Sequence, residues 1–254
     1  MTKNKTVKSV DRSITILEEL QDVGGARVSE LSERLGMAES SVHSHLTTLH
    51  DAGYVVKHGD IYDIGLKVLS LSRYAQHRNE VFRTAKPKVN ELAFETGEIV
   101  SLFAEDHGIG YFVYGRKSIE TTVPNTQSKT AELHAVAPGK AMLAHYPRKK
   151  VEEIISRREL AALTENTITE KDELFQELEE IQSRGYAFND EEYIEDLRAV
   201  GVPVKGAHGQ VVAALSVYGP KHRLSGNFYE TELPDMLQAC ANDMYLEVKY
   251  GNVD

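Results

Sequence analysis

The sequence contains a single cysteine, Cys240, in 254 residues, which excludes an intrachain disulfide framework and a zinc site built from several cysteines. No apolar run approaches the ~20 residues that a membrane span requires, and the first residues lead into no apolar signal segment. We therefore expect a protein of the cytoplasm in which Cys240 is a small, buried side chain of the last helix.

Positive charge is also scarce, because 29 Lys and Arg stand against 39 Asp and Glu and give a formal net charge of −10. This balance argues against nucleic-acid binding, which usually relies on a basic surface. The excess of acid indicates a salt-rich cytoplasm, where a highly charged surface keeps a protein soluble. Four cations nevertheless fall near the start, where they could follow a phosphate backbone as a short arm: Lys3, Lys5, Lys8 and Arg12.

Two short helices joined by a tight turn are predicted within the first quarter of the chain. In the first helix, Val28, Leu31 and Leu35 share one face, and Gly36 is a residue that ends helices. The second helix covers residues 40–49, with apolar side chains on one face and Ser, Thr and His on the other. Such donors and acceptors suit a recognition helix that enters the major groove of DNA.

A strand, a tight turn and a second strand over residues 54–64 predict a two-stranded ribbon, and this order of elements is a winged helix-turn-helix. Each piece alone is equally compatible with a solvated helix face or a hairpin that covers a core. Their combination in this order favours DNA binding. The predicted DNA contacts are Lys8, Arg12, Ser40, Ser41, His43, Ser44, His45, Thr48, Lys57 and His58.

The length of the chain predicts two domains, and its 41% of hydrophobic residues provide a sizeable core. Ser9 is the expected N-cap of a first helix that packs under the helix-turn-helix. We assign residues 1–65 to the winged helix-turn-helix and residues 66–86 to a linker helix that pairs two protomers, the alternative being an ordinary core helix. The second domain then covers residues 87–254 and begins at Pro87.

The second domain has the sequence pattern of an α+β fold in which helices cover a sheet, as in sensor modules. Two strands are predicted over residues 99–114 and a hairpin over residues 200–218. A helix capped by Thr169 precedes the hairpin, and the last amphipathic helix begins near Leu233.

Residues Gly139 and Lys140 invite comparison with a phosphate-binding loop, but the motif is absent. His134 stands where its first glycine is required, and Ala141 replaces the hydroxyl that binds magnesium. No nucleophile elbow and no zinc-binding His pair occurs either, so we predict no cofactor and no metal. Residues 134–144 are predicted to form a loop that enters a helix. Backbone N–H groups at the start of that helix are still expected to receive a small anion, unless Pro138 and Gly139 merely turn the chain.

Four segments resemble the IclR family of transcription regulators and occur in the family order: residues 8–12, residues 133–144, residues 185–192 and residues 211–220. The resemblance implies a DNA-binding winged helix, a linker helix and a GAF-like effector-binding domain. It also implies dimers, or dimers of dimers, on palindromic operators. The implied effectors are small metabolites, often organic acids, aromatic acids or sugar-derived compounds, held between the sheet and its loops.

Transferred by position, the resemblance and the expected anion site give one set of effector-binding residues: His134, Pro138, Gly139, Lys140, Ala141, Asn189, Asp190, Leu197, Ala199, Ser216 and Tyr218. Two positions depart from the family pattern. Ala199 stands where many relatives have Cys, which leaves the ligand class open. Ser44 stands where relatives often have Arg, which removes one expected DNA contact.

The leading hypothesis is a metabolite-responsive transcription factor, and whether it represses or activates depends on operator position. A rival hypothesis is a sensor-domain enzyme acting on a small carboxylate, with the N-terminal head as a dimerisation module. Its catalytic group would come from His134, Asp190, Glu191 and Glu192. A third alternative is a structural or partner-binding protein that has lost DNA binding, an idea supported only by the acidity.

Overall fold

The computed structural model describes residues 6–118 and 130–251. The chain forms two compact units, Met1–Ala75 and Gln76–Asp254. Lys3 and Lys5 of the predicted arm lie outside the described residues. Within the described part, no helix is both long and apolar enough to cross a bilayer.

The first unit is a winged helix-turn-helix. Its elements are α1 (Lys8–Val23), α2 (Val28–Leu35), α3 (Glu39–Asp51), β1 (Val55–His58) and β2 (Ile61–Ile64). Gly36 ends α2 in the left-handed region at φ 61°, where glycine pays no steric penalty, so that α3 starts three residues later. Ile16, Leu31 and Leu46 are completely buried and join α1, α2 and α3 in one core.

The first helix begins earlier than the sequence pattern predicted. The carbonyl of Val7 accepts hydrogen bonds from the N–H groups of Val10 and Asp11, so Val7 is the N-cap. Ser9 therefore lies inside α1 and caps nothing, and its carbonyl accepts a bond from the Ser13 hydroxyl. Lys8 and Arg12 are consequently held on a helix and do not form a flexible arm.

The predicted linker over residues 66–86 is interrupted, because the structure has α4 (Val68–His77) and α5 (Glu80–Thr96). Asn79 separates them: its side chain accepts a hydrogen bond from the Val81 N–H at 3.0 Å and so starts a new helix. Pro87, the expected start of the second domain, lies within α5, where it only removes one backbone donor.

The second unit is built on a six-stranded sheet with the strand order β5-β4-β3-β8-β7-β6. The strands are β3 (Ile99–Asp106), β4 (Ile109–Lys117), β5 (Thr130–Ala131), β6 (Ala187–Asp190), β7 (Leu197–Lys205) and β8 (Val211–Pro220). All of their pairings are antiparallel. The two strand pairs that the sequence predicted are both present and longer than predicted, whereas the sequence analysis did not predict β6.

Helices cover both faces of this sheet, as the α+β assignment predicted. The remaining helices are α6 (Ala137–Leu143), α7 (Arg148–Arg158), α8 (Lys171–Arg184) and α9 (Leu233–Tyr250). On one face, α5 and α9 enclose Leu102 and Leu215, and on the other α6, α7 and α8 enclose Phe103 and Ala214. Helix α8 begins after Glu170 without a side-chain cap, so the predicted Thr169 cap is wrong.

Cys240 lies in α9, as predicted, but is only half-buried. It packs against the apolar cluster shared by α5, α9 and the sheet. Burial raises the pKa of its thiol to about 11, so the thiol stays protonated near neutral pH.

Helix α6 packs directly on the sheet because of a missing side chain at Gly201. A Cβ at this position would lie 2.6 Å from the carbonyl carbon of Ala137 and 2.6 Å from the nitrogen of Pro138. Both neighbours are backbone atoms, which cannot turn aside as a flexible side chain can. Gly201 in β7 therefore fixes how closely the start of α6 approaches the sheet.

We predict that Gly201→Ala lowers the free energy of unfolding by about 1–3 kcal/mol, because the added methyl forces two backbones apart. Denaturant unfolding followed by circular dichroism measures the change. Gly206→Ala is the matched control, since its nearest neighbours are the ends of the Gln210 and Val212 side chains. Equal losses for the two variants would contradict this account of Gly201.

Candidate functional site

The outer face of α3 is a row of exposed polar side chains on a helix whose other face is locked into the core. The row consists of Ser40, His43, Ser44, Thr47 and Thr48, all exposed, opposite the buried Val42 and Leu46. Thr47 was missed by sequence reasoning, although its spacing of seven residues from Ser40 places it on the same face. We call these five residues the α3 row.

Three hydroxyl groups of the α3 row bond back to the helix. The Ser44, Thr47 and Thr48 hydroxyls donate to carbonyls four residues earlier, at 2.9, 2.9 and 3.0 Å. These local bonds hold the side chains in place and leave their oxygens as acceptors towards solvent. Because a hydroxyl rotates to suit its partner, each can also donate to an incoming group.

Of the residues predicted to contact DNA on α3, His45 is turned towards the protein and Ser41 is only partly exposed. His45 is half-buried, and its Nδ1 lies 2.8 Å from the Ser13 hydroxyl of α1. Ser41 is half-buried as well. The structure thus gives His45 a role in fixing α3 against α1, whereas Ser41 is partly exposed and lies on the same side of α3 as Ser44 and Thr48.

The remaining predicted DNA contacts are exposed on α1 and on the wing. Lys8 and Arg12 lie on the first turns of α1. On the wing, His58 is exposed, and the Lys57 ammonium lies 5.1 Å from the centre of the Tyr62 ring. This cation–π contact holds the lysine along the ribbon while its charge still reaches solvent.

The second unit contains a cavity with about 490 Å³ of empty space on the face of the sheet that carries α6. This figure includes space open to solvent, and the part that the centres of water-sized molecules can reach is about 40 Å³. Its wall is mainly apolar and aromatic, with a few polar groups. The lining residues are Phe112, Val136, Ala137, Pro138, Asn189, Tyr193, Ile194, Leu197, Arg198, Ala199, Ser216 and Tyr218.

The structure brings six of the eleven predicted effector-binding residues to the cavity wall: Pro138, Asn189, Leu197, Ala199, Ser216 and Tyr218. Five do not line it: His134, Gly139, Lys140, Ala141 and Asp190. Sequence reasoning missed the aromatic and aliphatic part of the wall. Phe112 was placed on a strand, but no sequence signal showed which strand faces meet the cavity.

The segment expected to receive an anion, at the start of α6, is buried in the protein, and the Lys140 N–H already donates to the Val136 carbonyl at 2.9 Å. Gly139 packs so tightly on the backbone of Leu133 that no Cβ would fit there. His134 is buried, with its Nε2 3.1 Å from the carbonyl oxygen of Ala161, and burial lowers its pKa. These residues shape the turn before α6 and are not exposed to a ligand.

Lys140 carries a completely enclosed charge. Its Nζ donates to both carboxylate oxygens of Glu192 at 2.6 and 2.7 Å, and Glu177 lies 3.6 Å away. The two main partners are 1% and 8% exposed, and burial raises the pKa of Glu192 although Lys140 counteracts the rise. The ammonium is thus neutralised inside the protein and cannot serve as an anion receptor.

The same ion pair anchors the segment of residues 191–196, which we call the cavity loop. The Glu192 N–H donates to Asn189 Oδ1 at 3.2 Å, and the Thr167 hydroxyl donates to the Glu192 carbonyl at 2.6 Å. The loop is bracketed by Glu191 and Asp196, both in the left-handed region at φ 63° and 62°. These anchors hold Tyr193 and Ile194 against the cavity.

The acidic residues considered as a catalytic group are all engaged in ion pairs. Arg198 donates from Nε and Nη2 to the two carboxylate oxygens of Asp190, at 2.7 and 2.9 Å, and these hydrogen bonds lower the pKa of Asp190. Glu191 pairs with Lys221, and Glu192 with Lys140. Each carboxylate therefore has a structural partner.

Comparisons with known proteins match both units to one family. Residues 9–59 match the IclR helix-turn-helix domain, and residues 73–245 match the family described as Bacterial transcriptional regulator IclR C-terminal. The chain is 29% identical over 243 residues to the probable HTH-type transcriptional regulator ArcR of Halobacterium salinarum, covering 94% of this chain and 92% of that protein.

Two further matches extend the comparison. The chain is 31% identical over 248 residues to the HTH-type transcriptional regulator KdgR of Dickeya chrysanthemi, covering 96% of this chain and 81% of that protein. The crystal structure of the Thermotoga maritima IclR matches with a TM-score of 0.77 at 27% identity, covering 96% of this chain and 99% of that one. The similarity thus spans both units.

We predict that Lys140→Met destabilises the fold by about 3–5 kcal/mol, because it leaves the Glu192 carboxylate buried without a partner. Lys140→Met combined with Glu192→Leu should recover most of this loss, since both charges are then gone. Thermal and denaturant unfolding measure both effects. The control Lys171→Met removes a half-exposed lysine and should change little. No recovery in the double variant would show that the loss does not come from the unpaired Glu192 carboxylate.

Proposed function

The chain belongs to the IclR family, and from this premise we propose that the α3 row contacts the bases of operator DNA while a small molecule in the cavity changes the affinity for that DNA. The protein is a DNA-binding transcription regulator with an effector-binding C-terminal domain, and it is not an enzyme. Operator binding would place it with the chromosome in the cytoplasm.

The observation that carries this proposal is that the α3 row has no role in the core. Helix α3 is fixed from behind by Val42, Leu46 and the contact between His45 and Ser13, so the row is presented rigidly. Hydroxyl and imidazole groups of this length reach base edges in the major groove. Lys8, Arg12, Lys57 and His58 would then contact the flanking phosphates.

The acidity of the chain fits this DNA interface if the protein works in concentrated salt. A row with few permanent cations gains little from counterion release, so its binding should lose less affinity as salt rises. One relative comes from Halobacterium, a salt-loving archaeon. We propose that operator binding by this chain persists at molar salt.

We further propose a symmetric dimer, or a dimer of dimers, on a palindromic operator. Two apolar stripes are exposed within the first unit: Val7, Val10 and Ile14 at the start of α1, and Leu66, Leu69 and Tyr74 at and along α4. Their exposure ranges from 50% for Ile14 to 80% for Leu66. Contiguous apolar surface of this kind marks a protein interface, and most soluble oligomers are symmetric.

The cavity would control DNA binding only if its ligand binds two arrangements of the dimer with different affinities, because a ligand with equal affinity for both shifts nothing. The cavity loop is the element that a ligand would contact and displace, since Tyr193 and Ile194 line the cavity. Regulation then begins at this loop. Whether it represses or activates depends on the position of the operator.

We expect Ser44→Asp to weaken binding to the DNA upstream of the gene by about tenfold or more, because a carboxylate then faces the phosphates. Ser44→Arg should strengthen binding and steepen its salt dependence by about one unit of log–log slope per new phosphate contact. Fluorescence anisotropy across salt concentrations measures both.

Ser183→Asp, on the exposed surface of α8, is the control and should bind as the parent does. Unchanged affinity in both Ser44 variants, with their folds intact, would rule out the α3 row as the DNA contact.

We expect Ile14→Glu and Leu69→Glu to convert dimers into monomers and to abolish cooperative operator binding, since each places a charge in an apolar interface. Sedimentation equilibrium measures the assembly state, and circular dichroism checks the fold. Thr15→Glu is exposed beside Ile14 on α1 and should remain dimeric. Dimers that survive both stripe variants would place the interface elsewhere.

A further inference from the structure

Ser101 is a buried polar residue that the family assignment leaves without a role. It lies in the middle of β3, is 1% exposed, and its hydroxyl finds no hydrogen-bond partner among the described residues. Buried hydroxyl groups are nearly always paired, because burial without a partner costs free energy. An exception of this kind needs an explanation.

The strand register places Ser101 next to the cavity. Ser101 is directly opposite Ser216 of β8, which lines the cavity, so both side chains lie on the same face of the sheet. The Cβ atoms of such opposed residues are about 4.5–5.5 Å apart. Gly115 is opposite Ser101 on its other side, and Gly201 is opposite Ser216. Two serine hydroxyls thus stand together between glycines that add no side chain.

The other polar groups of the cavity wall are also mainly hydroxyls without partners. Within the described part of the chain, the structure records no side-chain hydrogen bond for Ser216, Tyr193 or Tyr218. Burial raises the pKa of Tyr218 to about 12, so this phenol remains a donor at neutral pH. The wall therefore offers several uncharged donors and acceptors to a ligand.

The charged groups near the cavity are, by contrast, already neutralised. Arg198 lines the wall, but its guanidinium holds both oxygens of Asp190 and the carbonyl of Leu224. Lys140 is enclosed with Glu192. A ligand carboxylate would have to break one of these ion pairs or accept hydrogen bonds from the hydroxyl groups without a counter-ion, which is costly in a mainly apolar site.

We propose that the effector is an uncharged, hydroxyl-bearing molecule with an apolar ring or compact carbon body, and that Ser101 together with Ser216 binds its oxygen. This inference rests on the proposed function, because it assumes that the cavity is the effector site. The aromatic and aliphatic wall, with Phe112 and Ile194, encloses the carbon body. The paired serines can both donate to and accept from a ligand hydroxyl, whereas a carboxylate can only accept.

Isothermal calorimetry and thermal shift on the full chain test the ligand class with matched pairs: benzyl alcohol against benzoate, and cyclohexanol against cyclohexanecarboxylate. We expect each alcohol to bind at least about tenfold more tightly than its acid, because the acid brings a carboxylate without a counter-ion into the cavity. Tighter binding of the acids overturns the proposal, and so does the absence of binding by both alcohols at millimolar concentration.

The variant Ser101→Ala tests the role of the hydroxyl. We expect the affinity for the better alcohol to fall about tenfold, while the melting temperature of the free protein stays the same or rises, because a buried unpaired hydroxyl is removed. Ser183→Ala, on the surface of α8, should change neither quantity. A lower melting temperature with unchanged affinity would make Ser101 a structural residue and overturn the proposal. DNA binding is measured in parallel. If the protein binds DNA but the ligand results contradict the proposal, only the ligand class is wrong; if it does not bind DNA, the proposed function itself is wrong.

Discussion

One buried ion pair, Lys140 with Glu192, holds the cavity loop of the second unit to α6. Two opposite charges taken out of water are stable only when each satisfies the other closely, as the two short contacts here do. The pair joins α6 to the cavity loop, segments 52 positions apart in sequence. One wall of the cavity is therefore a loop held from within, which is how a small space can persist between a sheet and a short helix.

The first unit achieves rigidity by different means. Its three helices are joined mainly by apolar side chains. Two polar contacts add to this packing: His45 of α3 contacts Ser13 of α1, and Arg34 of α2 donates to Glu19 of α1 at 3.2 Å. The exposed face of α3 therefore takes no part in packing the core. Separating a rigid inner face from a free outer face lets a small domain carry a recognition surface without weakening its own core.

Sequence reasoning was most accurate where the signal was local. The glycine that ends α2, the apolar spacing of α3 and the strand pairs all follow from residues a few positions apart. It failed where the partners are distant in sequence. Lys140 was predicted to bind an anion because the sequence does not show that Glu192 lies beside it. His45 was predicted to be exposed because the sequence does not show its contact with Ser13. Strand β6 is only four residues long, and α7 has only three apolar residues, Val151, Ile154 and Ile155, among charged ones, so neither was predicted.

Different residues of the cavity loop hold it in place and line the cavity. Glu192 fixes the loop through its ion pair with Lys140, whereas Tyr193 and Ile194 line the cavity. Substitutions at those two neighbouring positions can alter the walls without disturbing the ion pair beneath. New ligand preferences are thus accessible through single mutational steps that leave the scaffold folded. A lineage of such regulators can diversify its chemistry quickly, because the parts under selection for recognition are not the parts that keep the protein intact.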